Sequence, residues 1–327
     1  MKCVVGVIGA WFILGSATLL GQSTGAAAPS AAETTAPDIP GVVAGGTRVQ
    51  VLQTWEPSLG GEAPVSMPDG SLLFSQQDRG RVIKISSDGT FSTFLETAPN
   101  QILGLAYDLK GRLIAAHRGQ PNGLVALAPE RSVLAESFDG QAFSSPNDLV
   151  IDQRGGVYFT DNVSEKTTKS GQSSSGVKPV EAVYYRAASG QVLRVTEVPA
   201  KPNGIQLSPD GKVLYVDSGS ASFVTAFDVE ADGRLSHGRN FAQLSEPGTA
   251  GGADGMAIDA SGRLYVAANG GIKIFNVDGK FMGAIPTSIK PRNLAFAGAD
   301  RRTLFIITRG AAYKVAMLSE GVKGRAK

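Results

Sequence analysis

Five residues that could donate an oxygen to a cation stand at one point of a recurring unit: Glu62, Asn147, Asn203, Asp254 and Asn293. A sixth unit carries Leu103 there. In each unit an apolar patch follows the anchor, and a turn ends eight residues later on Gly70, Gly111, Gly155, Gly211 or Gly262; the last has Arg301 in that place. Two acids and three amides suit a hard divalent ion. Calcium takes six to eight oxygens from carboxylates, amides and water. A soft metal would want thiolates or several imidazoles, and the chain has only Cys3, His117 and His237. The competing reading is that Asn or Asp before a strand merely caps a turn. That explains one such residue well, but not one offset kept through six units.

The units themselves show what must position these residues. MPDGSLLFS, YDLKGRLIAA, IDQRGGVYFT, LSPDGKVLYV and IDASGRLYVA each read as strand, tight turn, strand. The turn glycine supplies the positive φ of a short hairpin. A third strand-like stretch follows each hairpin, as in RVIKI, VYYRA or IKIFN, and a short fourth closes the unit. Four strands per unit and six units predict an all-β, six-bladed β-propeller over residues 47–327. Anchor spacings of 41, 44, 56, 51 and 39 residues allow one insertion, at about 163–179, rich in Ser, Gly, Lys and Thr. Residues Thr47–Trp55 alternate like a strand and could complete the last blade. A sandwich needs no six equal units, and no long amphipathic helices alternate with the strands. Innermost strands line a propeller's channel, so the six anchors should face one another at one tunnel mouth.

Composition narrows the setting. A basic start at Lys2, an apolar run from Val4 to about Leu20 and the exit Gly25-Ala26-Ala27-Ala28 read as a signal peptide over 1–28. Gly6, Gly9 and Gly15 weaken the alternative of a retained membrane anchor. Residues 29–46, rich in Ala, Thr and Pro, read as a flexible linker. The expectation is an exported protein, periplasmic or secreted, off the membrane once the leader is cleaved. Cys3 lies in that leader, so the mature chain would hold no disulfide. A net charge of +2 without a basic run gives no case for nucleic acid.

Several motifs carry a resemblance. They are Glu62 with Pro64, SPNDLVID (Ser145–Asp152) with VYFTD (Val157–Asp161), KPNGIQLSPDGKVLYVDS (Lys201–Ser218), ADGMAIDASGRLYVAANGGIKIF (Ala253–Phe275) and PRNLAF near the end. From about residue 50 to 320 the chain resembles the senescence marker protein, gluconolactonase and luciferin-regenerating enzyme family. The resemblance implies a six-bladed propeller with a Glu, Asn and Asp metal site, many members of which open sugar lactones. It implies Glu62, Asn203 and Asp254 as metal ligands, with Asn147 a fourth ligand or a contact to bound water or substrate. His117, in AAHRG, resembles the EHG of bacterial gluconolactonases and is a candidate substrate contact, with a structural role equally open. Two departures stand out. Ala63 replaces the usual Gly between the Glu and Pro of the first motif, and Asn162-Val163-Ser164-Glu165 replaces the Pro-rich turn after TD.

These residues suggest a reaction. A bound cation polarises a lactone carbonyl and acidifies water, and Asp254 is the candidate catalytic base beside it. Glu62 would mainly hold the metal, while Asn147 and Asn203 orient ion, water and substrate. The expected function is metal-dependent opening of a small sugar lactone, with calcium the favoured ion. The alternative is a non-catalytic propeller that binds a carbohydrate or protein partner and uses the ion for rigidity. No G-x-S-x-G elbow supports a serine hydrolase, and no H-E-x-x-H or C-x-x-C supports zinc. Asp228–Gly233 resembles the start of an EF-hand loop, but it falls where a hairpin turn is due and its twelfth position is Arg239.

Overall fold

The structure, a computed structural model, describes residues 30–163, 180–197 and 201–324. The leader read at 1–28 and nearly all of the 163–179 insertion lie outside the described residues. Six antiparallel sheets follow one another along the chain as six blades. Their innermost strands are Glu62–Ser66, Ile102–Tyr107, Pro146–Ile151, Pro202–Leu207, Met256–Ile258 and Pro291–Ala297. Each of these strands lies beside its two neighbours, and the last lies beside the first, so the ring closes.

The last blade is built from both ends of the described chain. Thr303–Thr308 and Ala311–Ala316 continue outward from its inner strand, and the early strand Arg48–Thr54 pairs antiparallel with Ala311–Ala316. Hydrogen bonds between the two ends of the sequence thus latch the ring. Six clusters of buried side chains fill the six gaps between blades. The gap between the first two blades shows the pattern. Val65, Leu73 and Val82 of one sheet meet Leu105, Leu113 and Val125 of the next, all fully buried.

Turn chemistry accounts for the hairpins. Gly70, Gly111, Gly155, Gly211 and Gly262 all take a positive φ, between 74° and 81°. Arg301 takes their place in the sixth blade at φ 54°, a left-handed conformation that costs a residue with a side chain about 1–2 kcal/mol. Aspartates finish several turns. Asp108 Oδ1 accepts from the backbone N–H groups of Lys110 and Arg112, and Asp259 Oδ1 from those of Ser261 and Arg263. The EF-hand-like Asp228–Gly233 stretch belongs to a hairpin between Phe223–Val229 and Leu235–Gln243, where Asp228 pairs with Arg239 at 2.7 Å.

One expectation is corrected. The small and proline residues of 29–46 read as a flexible linker, but part of that stretch is packed on the propeller. Thr34–Thr35 adds a strand to the last blade, and Ala36, Ile39, Val42 and Val43 are buried between the fifth and sixth blades. Composition hid four apolar residues that have a place to go. Ile39 and Val43 bridge each other in a compact turn, which aims Ile39, Val42 and Val43 into that gap.

Candidate functional site at the tunnel mouth

The inner strands are irregular where the anchors sit. Pairing with the second strand shifts register between Glu62 and Val65, Pro146 and Leu149, Pro202 and Ile205, and Pro291 and Asn293. A bulge re-aims a side chain that regular pleating would send into a blade interface. In the first blade the bulge puts Ala63 at φ 54°, which explains why glycine suits this position better. Asp254 lies just ahead of its strand, held by its N–H to the Ala267 carbonyl at 3.0 Å.

Buried carboxylates fix the backbone that carries the anchors. Asp161, the acid of VYFTD, accepts the N–H groups of Ser144 at 2.9 Å and Ser145 at 2.6 Å, and so holds the approach to Asn147. Asp217 Oδ1 accepts from Gly204 N–H at 2.8 Å. The Thr160 hydroxyl donates to the Asn203 carbonyl at 2.7 Å and accepts from Asp148 N–H at 3.0 Å, tying the third blade to the fourth. Between the fourth and fifth blades there is no room for a side chain at Gly204. A Cβ there would stand 2.3 Å from the Asp254 carbonyl oxygen. Gly255 is equally confined, since its Cβ would fall 2.0 Å from Asn293 Cγ.

Two of the expected ligands meet. Arg292 Nε donates to Glu62 Oε2 at 2.9 Å, Arg292 Nη2 lies 2.8 Å from the same oxygen, and Nε stands 3.1 Å from Asp254 Oδ2. The two carboxylate oxygens therefore lie within roughly 6 Å of each other, the span of two hydrogen bonds. Glu62 is buried and Asp254 nearly so, with 3% and 13% of their side chains exposed. Burial first, and Glu62 second, push the Asp254 carboxyl up to about 7, against the pull of Arg292 and Lys290. The same two acids hold the Arg292 guanidinium firmly charged.

Asn147 and Asn203 occupy matching places on the bulged inner strands of the third and fourth blades, and both are half-buried. Asn293 is buried, and its Oδ1 accepts the N–H of Leu294 at 2.9 Å. Leu103 is buried. His117 pairs with Ile102, beside the second unit's anchor. It is 1% exposed in the second strand of its blade, with Nδ1 2.8 Å from the Pro121 carbonyl and Nε2 3.2 Å from the Gln101 amide. Burial keeps the imidazole below its usual pKa, and both ring nitrogens are engaged by the protein.

Sequence reasoning passed over two cations. Arg292 precedes its anchor where other units have Gly61, Ile102, Pro146, Pro202 and Ala253, and that contrast was the available signal. Arg118, next to His117, lies within electrostatic reach of Glu62, Asp161 and Asp254, and its Nε donates to the Pro146 carbonyl at 3.3 Å. Burial lowers its pKa to about 10, with those acids opposing the shift.

The donor set fits a hard divalent ion. Its atoms are all oxygens, and its two carboxylates already converge on one positive group, the guanidinium of Arg292. Among the described residues no three His, Cys, Asp or Glu side chains gather as a metal centre. Glu62 and Asp254 are the two acids that could hold such an ion, and Asn147 and Asn203 stand at matching places on the inner strands of other blades.

Fold and mouth together define a six-bladed propeller with a buried, oxygen-lined acid pair at one end of its tunnel. Residues 60–310 match the SMP-30/gluconolactonase/LRE-like family, and the chain belongs to it. A gluconolactonase of Zymomonas mobilis is 29% identical over 270 residues, which cover 75% of each chain. The lactonohydrolase oryL of Aspergillus oryzae is 27% identical over 80% of this chain and 68% of its own. Among solved structures, a gluconolactonase from Xanthomonas campestris superposes with a TM-score of 0.71 at 26% identity, covering 84% of this chain and 90% of the other. A calcium-binding regucalcin from Agrobacterium tumefaciens shares the fold, with a TM-score of 0.69 at 19% identity over 84% and 95% of the two chains.

Proposed function

We propose that this protein is an exported hydrolase that opens a small sugar lactone, using a divalent cation, with calcium favoured, at the tunnel mouth. The convergence of the Glu62 and Asp254 carboxylates on one cationic point carries the reading. It is joined by the likeness, over most of the propeller, to proteins named gluconolactonase. Glu62, Asn203 and Asp254 would hold the ion, with Asn147 as a fourth ligand or a contact to substrate. When bound, the ion would supply Lewis-acid polarisation and a more acidic water.

The chain's own residues do the rest. Water adds to the lactone carbonyl carbon, the ring C–O bond breaks, and a hydroxy acid leaves. Asp254 takes the proton from the attacking water and returns it to the ring oxygen as that bond opens. Without the ion burial pushes this carboxyl up to about 7, and a cation beside it would draw it down and keep it ionised to accept the proton of the water. Arg118 supplies fixed positive charge facing the same acids, suited to steadying negative charge on the opening ring. His117, closed in by Pro121 and Gln101, supports the fold rather than the substrate.

The test is gluconolactone hydrolysis by the purified protein, with and without chelator, beside Asp254→Ala. Turnover should need the cation and should vanish in the variant while its circular dichroism and melting remain those of a folded protein. Undiminished turnover by Asp254→Ala would remove the mechanism. Absence of any lactone hydrolysis by a calcium-loaded, folded wild type would favour the binding propeller instead.

A further inference from the structure

Arg292 sits where a metal ion on the acid pair would have to sit. Its Nε lies 2.9 Å from Glu62 Oε2 and 3.1 Å from Asp254 Oδ2. Calcium binds carboxylate oxygens at about 2.3–2.6 Å, so an ion shared by these two atoms needs the volume now filled by Nε and its neighbouring carbons. Charge gives the same answer. A guanidinium kept within hydrogen-bond distance of both carboxylates would face a divalent ion at contact range, in a buried place with little water to screen the repulsion.

We propose that Arg292 is a built-in counter-cation that competes with the divalent ion for Glu62 and Asp254, so that ion binding is an exchange in which the guanidinium leaves the pair. The inference rests on the metal reading above and adds a residue that sets the affinity. The arginine keeps two neighbouring buried acids compensated without the ion, and it makes the ion displace a salt bridge in order to bind. The backbone has a means of following the exchange. The Arg292 carbonyl accepts the N–H of Gly255, next to Asp254, at 2.8 Å. The side chain can therefore leave while the main chain beside Asp254 stays joined to that of Arg292.

Calcium titration by calorimetry on the wild type and on Arg292→Met, a neutral side chain of similar reach, separates the possibilities. The variant should bind calcium at least tenfold more tightly. In chelator it should melt several degrees below the wild type, and added calcium should restore much of that loss. Equal affinity, or weaker binding by the variant, overturns the exchange while leaving the metal site standing. Binding by neither protein overturns the metal reading and the exchange with it, an outcome plainly different from equal affinity. Should Arg292→Met not fold, the wild type alone decides. The Arg292 Nε–H, protected from solvent exchange by its bond to Glu62, should lose that protection at saturating calcium, and unchanged protection refutes the proposal.

Discussion

Replacing Gly204 by Ala gives the sharpest test of how closely the blades must meet at the mouth. The new methyl would stand 2.3 Å from the Asp254 carbonyl oxygen, 2.7 Å from Asp217 Oδ2 and 3.1 Å from Gly255 Cα. Carbon atoms make unstrained contacts at about 3.5 Å, so the fourth and fifth blades must part by about 1 Å at this point. The groups that must yield are the backbone of Asp254 and the buried Asp217 carboxylate that accepts the Gly204 N–H. Overpacking of this kind costs about 1–3 kcal/mol, which lowers the melting temperature of a domain this size by several degrees. The loss of function should be larger. A displacement of about 1 Å at a reacting centre can cost on the order of a hundredfold in rate, because Asn203 and Asp254 move apart. Gly219→Ala is the control, since its methyl would approach only the Ala253 carbonyl, at an ordinary 3.4 Å. Lactone hydrolysis and calorimetric melting of both variants are to be compared with the wild type. A Gly204→Ala protein with kcat/KM within threefold of wild type and unchanged melting would refute the close-approach argument.

Three further outcomes are expected. His117→Phe should lose about 1–3 kcal/mol in denaturant unfolding, by leaving the Pro121 carbonyl and the Gln101 amide without a partner, yet keep the wild-type KM; a raised KM would return His117 to the substrate. In chelator the protein should melt higher at pH 5 than at pH 7.5. Asp161, pushed up by burial to about 6, and Asp254, pushed up to about 7, bind protons more tightly folded than unfolded, so stability is lost as pH rises through those values. A melting temperature that is flat or rising from pH 5 to 7.5 would contradict this. A chain beginning at Thr47 should unfold at lower denaturant, with roughly 5 kcal/mol lost because Ile39, Val42 and Val43 no longer fill their gap, whereas removal of a true tether would leave the midpoint unchanged.

The sequence by itself determined the blade count, the hairpin turns and the offset at which the anchors recur. These are local features repeated six times, and the residue eight after each anchor, glycine in five units and Arg301 in the sixth, takes the positive φ that the hairpin needs. Even the oddity at Ala63 was readable as a departure, and the structure supplies its cause in a left-handed bulge. What the sequence could not decide was which side chains meet across the ring. Arg292 and Glu62 are 230 positions apart and touch only because the last blade closes against the first. The linker reading failed for the same reason, since Ile39, Val42 and Val43 find their partners in blades more than 200 residues away. For His117 the sequence left a substrate contact and a structural role equally open, and only the folded ring shows Pro121 and Gln101 against its two nitrogens. Period and turn chemistry are written along the chain, whereas burial and charge pairing belong to the closed ring and exist only once it has formed.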